Sequence, residues 1–317
     1  MGRNEWYHFI ERIVQLMPKY SIITVCYNDR EGLEKTILST INQTFKNFEY
    51  IVVDGGSNDG SKDVIEKYKN HFSWWCSERD GGIYPAMNKG VRHSSGEYCL
   101  FMNAGDCFIN EHVLEDVVKQ GKTTDIVSGY SISNKTNSHT YPHDNNILRL
   151  LLHGTLPHQA TFIKREVLLQ LPYDEHFKIV SDCKFWIEAI LIHQFSWSFI
   201  DTSINIQDMN GVSHVSLDKQ RKEWLKMWRE CIPAIKQTKY ASSLNEIYGV
   251  QFNLIIDGIL DAVKSGDKIK YSSFREEWKN YSSKVVRRVL GILRWMLYCQ
   301  CCNWYSLRFW LNLHPNK

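Results

Sequence analysis

Short apolar runs alternate with amphipathic segments along the first part of the chain. The apolar runs are rich in β-branched and aromatic residues and are bounded by Gly, Asn or Asp, which is typical of buried strands. We predict strands at 20–26, 48–53, 73–77, 97–102 and 125–130, with helices at 31–44, 61–70, 83–93 and 111–119. Strands that alternate with helices in this way predict a parallel sheet built from β-α-β units.

The pattern changes after residue 130. Residues 131–160 are polar and irregular, with a short helix expected near 146–152. The following segments predict helices at 161–171 and 182–194 and a strand at 195–206, and beyond 215 only helical periodicity remains, at 217–231, 242–264, 273–281 and 284–302. An amphipathic helix is also expected at 5–17. We therefore predict three parts: an N-terminal helix at 1–19, an α/β domain at 20–214 and a helical region at 215–317.

Composition and charge narrow the class of protein. The 317 residues are 43% hydrophobic and 23% charged, which is ordinary globular composition and excludes a disordered or fibrous chain. The N-terminus has charges within its apolar pattern and no small-residue cleavage site, so we do not expect a signal peptide. No uncharged apolar run reaches the length of a transmembrane helix. We expect a cytoplasmic protein whose cysteines are reduced thiols.

Acidic and small residues follow the predicted strands in order. The segments are Tyr27–Asp29 after the first strand, Asp54–Gly60 (DGGSNDG) after the second, Glu78–Gly82 (ERDGG) after the third and Asn103–Asp106 (NAGD) after the fourth. Open parallel sheets bind ligands beyond these strand ends. Each segment alone is equally compatible with a turn or a helix cap, and so is Asp182 at the start of its helix. Their joint occurrence favours a binding site, while the absence of G-x-G-x-x-G and P-loop motifs argues against those nucleotide sites.

Several of these segments resemble glycosyltransferase family 2, and most closely bacterial transferases of the colanic-acid and capsule type. They are 21–29 (SIITVCYND), 51–61 (IVVDGGSNDGS), 77–90 (SERDGGIYPAMNKG), 96–106 (GEYCLFMNAGD) and the pair Ser181-Asp182. The resemblance covers roughly residues 20–215. It implies a GT-A fold with a mostly parallel central sheet, a nucleotide-sugar donor and a divalent cation, either Mg²⁺ or Mn²⁺.

The resemblance also implies a set of residues that contact or approach the donor. Tyr27 and Asn28 would line the nucleoside pocket, Asp54 would hydrogen-bond the base or ribose, and Asp80 would help to hold the nucleoside. The full donor-binding set is Tyr27, Asn28, Asp54, Asp80, Asn88, Lys89, Gly90 and Asn103.

The expected cation-binding element departs from the family pattern. Asp106 would be the metal ligand, but NAGD has one carboxylate where the family has two or three, and Asn103 stands in an acid's place. Donor phosphates and water would supply the remaining oxygen ligands of a hard cation. His214 is a candidate additional ligand, although a surface role suits it equally well. His158, in LPHQATF, is a candidate contact to the acceptor or a phosphate, with a structural role as the alternative.

The chemistry implied is displacement at the anomeric carbon with inversion. An acceptor hydroxyl attacks opposite the nucleoside diphosphate, so a carboxylate on the attacking side must take the proton while the cation neutralises the leaving phosphates. Asp182 is the candidate base. An ordinary aspartate pKa of about 4 is sufficient, because the hydroxyl proton becomes acidic only as the new bond forms.

The acceptor is expected to be a polyisoprenoid-linked saccharide in cell-surface polysaccharide biosynthesis. The displaced arginine of Gln220–Trp224 and the lack of membrane spans favour a non-processive enzyme. Two alternatives stay open. One is a sugar nucleotidyltransferase, although 26–32 lacks the basic Gly-rich loop of that class. The other is a non-enzymatic scaffold or nucleic-acid-binding protein that acts through its basic C-terminal tail, whereas the transferase is not expected to bind nucleic acid.

The last 40 residues carry seven basic and no acidic side chains, although the net charge of the whole chain is only +3. Within 284–302, basic residues fall on one helical face and apolar residues on the other, with aromatic residues nearby. This arrangement suits an anionic membrane surface and predicts a peripheral protein at the inner face of the cell membrane. The alternative is that the apolar face packs on the catalytic domain.

Overall fold

The computed structural model describes residues 19–136, 147–209 and 217–279. They form two compact units, with the boundary along the chain between Ile247 and Tyr248. The first unit contains the sheet and continues past residue 214, where we placed the end of the α/β domain. The helices expected at 5–17 and 284–302 lie outside the described residues.

A single eight-stranded sheet forms the centre of the first unit. Its order is β3-β2-β1-β4-β7-β6-β8-β5. Parallel pairs join β1 to β2, β1 to β4, β2 to β3 and β6 to β8, and the other three pairs are antiparallel. The strands are β1 (Tyr20–Cys26), β2 (Phe48–Asp54), β3 (Trp74–Ser77), β4 (Tyr98–Phe101), β5 (Cys107–Phe108), β6 (Ile126–Ser133), β7 (Thr161–Lys164) and β8 (Trp197–Gln207). The predicted α/β class with a mostly parallel sheet is confirmed.

The α-helices of the described residues follow the predicted alternation through the first four strands. They are α1 (Arg30–Ile41), α2 (Ser61–Tyr68), α3 (Ile83–Arg92), α4 (Val113–Lys119), α5 (Ile147–His153), α6 (Arg165–Gln170), α7 (Ser181–Trp186), α8 (Leu217–Ile235), α9 (Leu244–Lys264) and α10 (Lys268–Lys279). A π-helical segment, Ile187–Ile192, continues α7, and short 3₁₀ turns occupy 69–71, 158–160 and 239–243. None of the helices in the described ranges is both long and apolar enough to span a membrane.

The buried strand β1 provides the surface on which α3 packs. All seven residues of β1 are buried, as expected for a parallel strand covered on both faces. Gly90 of α3 packs directly on this strand, since a Cβ at Gly90 would lie 2.4 Å from Ile23 Cγ2. This close approach fixes α3 against the sheet and holds the segment before α3 near the strand ends.

The prediction of one helix at 161–171 was wrong. Residues Thr161–Lys164 form β7, which pairs antiparallel with β4 and β6, and α6 begins immediately afterwards at Arg165. Apolar residues at 162, 163, 167 and 168 mimic a helical stripe. Tertiary pairing between two strands that are distant in sequence overrides this local pattern.

Candidate active site

The loops that follow β2 and β4 lie on either side of the end of β1. The Gly55 N–H donates to the Cys26 carbonyl at 2.9 Å, and the Ala104 N–H donates to the Val25 carbonyl at 3.0 Å. Parallel pairing places Cys26 beside Asp54. The polar segments after successive strands therefore meet at one edge of the sheet, as we expected from their order.

Asp54 is fully buried at the end of β2. Its carboxylate accepts hydrogen bonds from the Ser57 N–H at 3.0 Å, the Ser57 hydroxyl at 2.5 Å and the Ser77 hydroxyl at 2.6 Å. Both oxygens are engaged, and the side chain has no exposed surface for a ligand. In the structure Asp54 joins the ends of β2 and β3, and its contact with the base or ribose of a donor stays a prediction.

Asn28 ties the loop after β1 to the loop after β2. Its backbone N–H donates to the Ser57 hydroxyl at 2.7 Å, and its side-chain Oδ1 accepts from the Asn58 N–H at 2.9 Å. Asn28 adopts a left-handed conformation, with φ of 51°, which asparagine tolerates better than most residues. The neighbouring Tyr27 side chain is 68% exposed, so its ring is free to stack on a planar ligand.

Gly55 lies between two of the predicted nucleoside-binding residues. A Cβ built on it would be 2.8 Å from Asp80 Oδ2 and 3.2 Å from the Tyr27 ring. Asp80 is itself oriented by the Gly82 N–H, which donates to its Oδ1 at 2.9 Å. Tyr27 and Asp80 are therefore brought together over a backbone that has no side chain between them.

The three residues expected near the donor on α3 have structural partners. Asn88 is buried and bonded in both directions to the Tyr173 backbone, at 2.8 and 3.0 Å. Gly90 is the packing residue described above. Lys89 pairs with Glu78 at 2.8 Å. Asn88 and Gly90 thus pack within the protein around the site. Lys89 is the one of the three whose side chain is charged and partly exposed.

The side chain of Thr36 holds the loop that follows β4. Its hydroxyl donates towards the carbonyls of Asp106, at 2.6 Å, and Asn103, at 3.2 Å, and accepts from the Gly105 N–H at 3.1 Å. A single side chain of α1 therefore contacts three backbone positions of Asn103–Asp106. These hydrogen bonds define the shape of the loop.

Asp106 is buried beneath a second carboxylate, Asp208. Its Oδ1 accepts the Asp208 backbone N–H at 2.8 Å. Burial raises the pKa of Asp106 to about 7, the nearby Asp208 carboxylate adds to this rise, and the Asp208 N–H, His158 and Gln159 oppose it. The Asp208 side chain is held by Asn134, whose amide donates to it at 2.8 Å. The carboxyl groups of Asp106 and Asp208 thus lie close together beyond the strand ends of the sheet.

This pair fits a divalent cation that is held jointly with a ligand. Among the described residues there is no group of three or more His, Cys, Asp and Glu side chains able to hold a metal alone. Asp106 and Asp208 offer hard oxygen ligands, and a cation would offset the cost of burying the charged form of Asp106, which raises its pKa, together with the smaller repulsion from Asp208. The remaining ligands would come from phosphate oxygens and water.

Asp182, the predicted base, is oriented from several sides. Its Oδ1 accepts from the Tyr84 hydroxyl at 3.0 Å and from the Cys183 N–H at 2.9 Å. Burial alone would raise its pKa, but His158, Tyr84 and the Cys183 N–H outweigh burial and lower the pKa below the ordinary value. The carboxylate is therefore ionised at neutral pH and able to accept a proton.

His158 connects Asp182 to the loop after β4. Its Nδ1 lies 3.4 Å from Asp182 Oδ2, and its Nε2 lies 3.0 Å from Asn103 Nδ2. The His158 and Asp182 side chains are 14% and 13% exposed, so both are shielded but reachable. The predicted base and the predicted cation-binding loop thus belong to one site.

The segment before Asp182 is held by Glu223 of α8. The Glu223 carboxylate accepts the backbone N–H groups of Lys178, Ile179 and Val180 at 2.8–3.2 Å. Lys178 also reaches the Gly81 carbonyl at 3.3 Å. The start of α7 is therefore fixed both to α8 and to the segment that carries Asp80.

The sequence analysis did not single out Thr36, Gly55, Asp208 or Glu223. The predicted ligand His214 lies outside the described residues. Thr36 and Glu223 are ordinary helix residues without a local signal. Gly55 lies inside the DGGSNDG segment, and Asp208 directly follows β8 much as Asp54 ends β2. The position of Asp208, two residues after the strand predicted at 195–206, is the one sequence signal that marks it.

The fold and the site define an α/β protein with a polar site beyond the ends of its parallel strands, and comparison with known proteins gives the family. A family model described as Glycosyl transferase family 2 matches residues 21–185, more than half of the chain. The chain belongs to glycosyl transferase family 2.

Curated relatives carry related names. An uncharacterised glycosyltransferase of Mycobacterium tuberculosis is 32% identical over 186 residues, which cover 55% of this chain and 70% of the relative. A PGL/p-HBAD biosynthesis glycosyltransferase of Mycobacterium bovis is 28% identical over 215 residues, covering 64% and 82%. The protein is therefore a glycosyltransferase, in agreement with the names of these relatives.

Solved structures agree on the fold. S. aureus TarS 1–349 in complex with UDP-GlcNAc aligns with a TM-score of 0.57 at 15% identity, covering 84% of this chain and 93% of that one. The mannosyltransferase PcManGT from Pyrobaculum calidifontis, in complex with GDP-Man and Mn²⁺, aligns with a TM-score of 0.55 at 14% identity and covers 92% of both. The predicted GT-A fold is confirmed.

Proposed function

We propose that this protein is an inverting, non-processive glycosyltransferase. It transfers one sugar from a nucleotide-sugar donor to a hydroxyl of a polyisoprenoid-linked saccharide during cell-surface polysaccharide biosynthesis. The observation that carries the proposal is the connection of Asp182, through His158, to the Asn103–Asp106 loop. The ionised base and the carboxylate pair that would hold the cation of the donor diphosphate then belong to one site.

The nucleoside of the donor is assigned to the space over Gly55 between the Tyr27 ring and the Asp80 carboxylate, which we call the nucleoside recess. The exposed Tyr27 ring offers a stacking surface, and the Asp80 carboxylate, close to Gly55, offers a hydrogen-bond acceptor. The titles of the similar structures name UDP-GlcNAc and GDP-Man as bound donors, so the proposal specifies a nucleoside diphosphate sugar without specifying its base. Asp54 and Asn28 support this recess by holding the loops around it.

Asp106 and Asp208 would hold Mg²⁺ or Mn²⁺ together with the donor diphosphate. When bound, the cation neutralises the charge that develops on the leaving nucleoside diphosphate. Mn²⁺ in the PcManGT structure supports a cation of this kind. His214 remains a candidate additional ligand.

Asp182 takes the proton from the attacking hydroxyl. The acceptor oxygen forms a bond to the anomeric carbon while the bond from that carbon to the diphosphate oxygen breaks, and the leaving group keeps the electron pair. The proton passes to Asp182, which Tyr84 and the Cys183 N–H hold in place. Attack from the side opposite the diphosphate inverts the anomeric centre.

The acceptor and the location rest on two supports. One relative is named cholesterol galactosyltransferase, from Borreliella burgdorferi, at 34% identity over 113 residues, which supports a lipid acceptor within this group of enzymes. The basic amphipathic segment at 284–302 supports peripheral binding at the inner face of the cell membrane. Family membership decides for a transferase over the nucleotidyltransferase and nucleic-acid-binding alternatives.

The test is a panel of nucleotide sugars incubated with the full chain, Mn²⁺ and membrane extract, with wild type compared to Asp182→Asn. Transfer by wild type and loss of transfer by the variant, with donor binding retained, are expected. Asp201→Asn, an exposed aspartate on β8, is the matched control and should keep full activity. Near-normal turnover by Asp182→Asn would show that Asp182 is not the base. Turnover that chelator does not affect would show that the reaction needs no cation.

A further inference from the structure

We propose that Asn103 and His158 form a hydrogen-bonded chain that positions the base Asp182. Asn103 is then a positioning residue, in place of the donor-binding role expected from its location in the NAGD element. This inference rests on the proposed function, because it names a further role within the same site. It also explains why an amide occupies a place where the family pattern has an acid.

The chain fixes which imidazole nitrogen carries the proton. Asn103 Nδ2 lies 3.0 Å from His158 Nε2, and an amide nitrogen only donates, so Nε2 must accept. In the neutral ring the proton then resides on Nδ1, which faces Asp182 Oδ2 at 3.4 Å. The amide therefore selects the one tautomer that can donate to the base.

A carboxylate at position 103 would reverse this arrangement. It can only accept, so it would favour a proton on His158 Nε2. A neutral ring would then present a bare Nδ1 to the Asp182 carboxylate, whereas a ring that takes up a second proton would form an ion pair with Asp182 and make that carboxylate a weaker base. Asparagine is compatible with the tautomer that donates to Asp182, because its amide nitrogen donates to His158 Nε2 and leaves the ring proton on Nδ1.

Both ends of the chain are anchored by independent contacts. The Asn103 carbonyl accepts from the Thr36 hydroxyl at 3.2 Å. Asp182 Oδ1 is held by Tyr84 and its other oxygen faces His158. His158 itself begins the 158–160 turn that leads into β7. A side chain held at both nitrogens between two fixed elements can restrict the carboxylate to one orientation.

The His158 neighbourhood contains further charges that act on the same chain. Asp106 lies close enough for its charge to be felt by His158, and Gln159, next in sequence, hydrogen-bonds Asp106. Asn103 Oδ1 is buried and has no hydrogen-bond partner among the described residues. Among the described residues, the Asn103 amide therefore hydrogen-bonds through its nitrogen, to His158.

A double-mutant cycle in the full chain tests the inference. Asn103→Ala and His158→Ala should each lower kcat by roughly 10- to 100-fold, because a misplaced catalytic group loses this much rate. The double variant should be no worse than the poorer single variant, since both changes break one chain. Donor Kd and the Mn²⁺ concentration for half activity should stay within about twofold in all three, as expected if the chain acts on orientation alone.

Two further variants separate positioning from cation binding. His158→Gln can still donate to Asp182 and should recover part of the activity lost in His158→Ala. Asn103→Asp should lower kcat at saturating Mn²⁺ and donor. If Asn103→Asp instead retains kcat and improves Mn²⁺ affinity, or if the single effects multiply, Asn103 serves the donor or cation and the proposal is overturned. His71→Ala, at an exposed histidine, is the control and should change neither quantity.

Nitrogen-15 NMR of the wild-type chain provides a readout that does not depend on activity or on a variant that folds. His158 should be found with its proton on Nδ1. A proton on Nε2 overturns the inference even if the enzyme is active. If no nucleotide sugar is turned over but the Nδ1 tautomer is observed, the proposed function fails and the hydrogen-bonded chain stands.

Discussion

The backbone N–H of Asp208 donates to Asp106 Oδ1 at 2.8 Å, across 102 positions of sequence. This bond joins the end of β8 to the loop after β4. It also places a second carboxylate beside the first, because the Asp208 side chain lies near Gly105, within 3.0 Å of a Cβ built on that residue. The NAGD element contains one acid in sequence, but in three dimensions the site contains two.

We expect Asp208→Asn to weaken cation use. Removing one of the two carboxylates should raise the Mn²⁺ concentration needed for half-maximal activity by on the order of 10-fold. The measurement is a Mn²⁺ titration of donor turnover. Asp201→Asn on the same strand should leave the titration unchanged, and an unchanged titration in Asp208→Asn would show that Asp106 acts without a second carboxylate.

We expect Asp106→Asn to stabilise the metal-free protein while abolishing transfer. Burial raises the pKa of this carboxyl from 3.8 to about 7. Between these pH values the unfolded chain loses a proton that the folded protein keeps, so stability falls as pH rises through that window. An amide avoids this loss, and its benefit should grow from pH 5 to pH 8 and reach at most ~4 kcal/mol.

Urea unfolding in chelator at pH 5 and pH 8 checks the Asp106 prediction. The difference in unfolding free energy between Asp106→Asn and wild type should be larger at pH 8 than at pH 5. A gap that is absent or reversed at pH 8 would mean that the buried carboxylate is stabilised by contacts stronger than its burial. Mn²⁺ with donor should stabilise wild type and leave Asp106→Asn almost unaffected.

Gly55→Ala should weaken donor binding. The added methyl group would stand 2.8 Å from Asp80 Oδ2 and 3.2 Å from the Tyr27 ring, so it would push apart the two sides of the nucleoside recess. Calorimetric titration with the preferred donor should show an affinity loss of about tenfold, or about 1.4 kcal/mol. Gly249→Ala, where a Cβ meets nothing within 4 Å, should bind the donor normally.

Glu223→Ala should release the segment before Asp182. The variant leaves three backbone N–H groups, those of 178–180, without their carboxylate acceptor. We expect a loss of about 1–3 kcal/mol in unfolding free energy, together with faster hydrogen exchange at 178–180 and a lower kcat. Glu246→Ala, at an exposed position of α9, serves as the control, and normal exchange at 178–180 in Glu223→Ala would contradict the assigned role.

The C-terminal tail should bind anionic membranes. Each Lys or Arg at an anionic surface contributes about 1 kcal/mol, so the seven basic residues after Glu277 should support reversible binding. Flotation with anionic liposomes at low salt should recover the full chain and lose a truncation after Ser283. Equal flotation of both proteins, or of neither, would exclude this tail as the anchor.

Local pattern was sufficient for most elements of the first unit. β1 and β2 are short runs rich in β-branched residues, β4 is a short run of apolar and aromatic residues, and the signal of each strand is contained within its own run. β7 was misread, because four residues directly followed by a helix share one helical stripe, and only pairing with β4 and β6 makes them a strand. The two-residue strand β5 exists only through its pairing with β8.

The sequence by itself determined the α/β class, the edge of the sheet that carries the polar segments, and the identity of Asp106 and Asp182 as candidates. These features depend on periodicity and on residues adjacent to strand ends. Tertiary structure decided the contacts: Asp54 and Asn88 are buried against neighbouring segments, Asp208 joins Asp106, and His158 connects Asn103 to Asp182. The physical reason is that burial and hydrogen-bond partners are set by residues tens of positions apart, and chain pattern alone does not encode which of those residues meet.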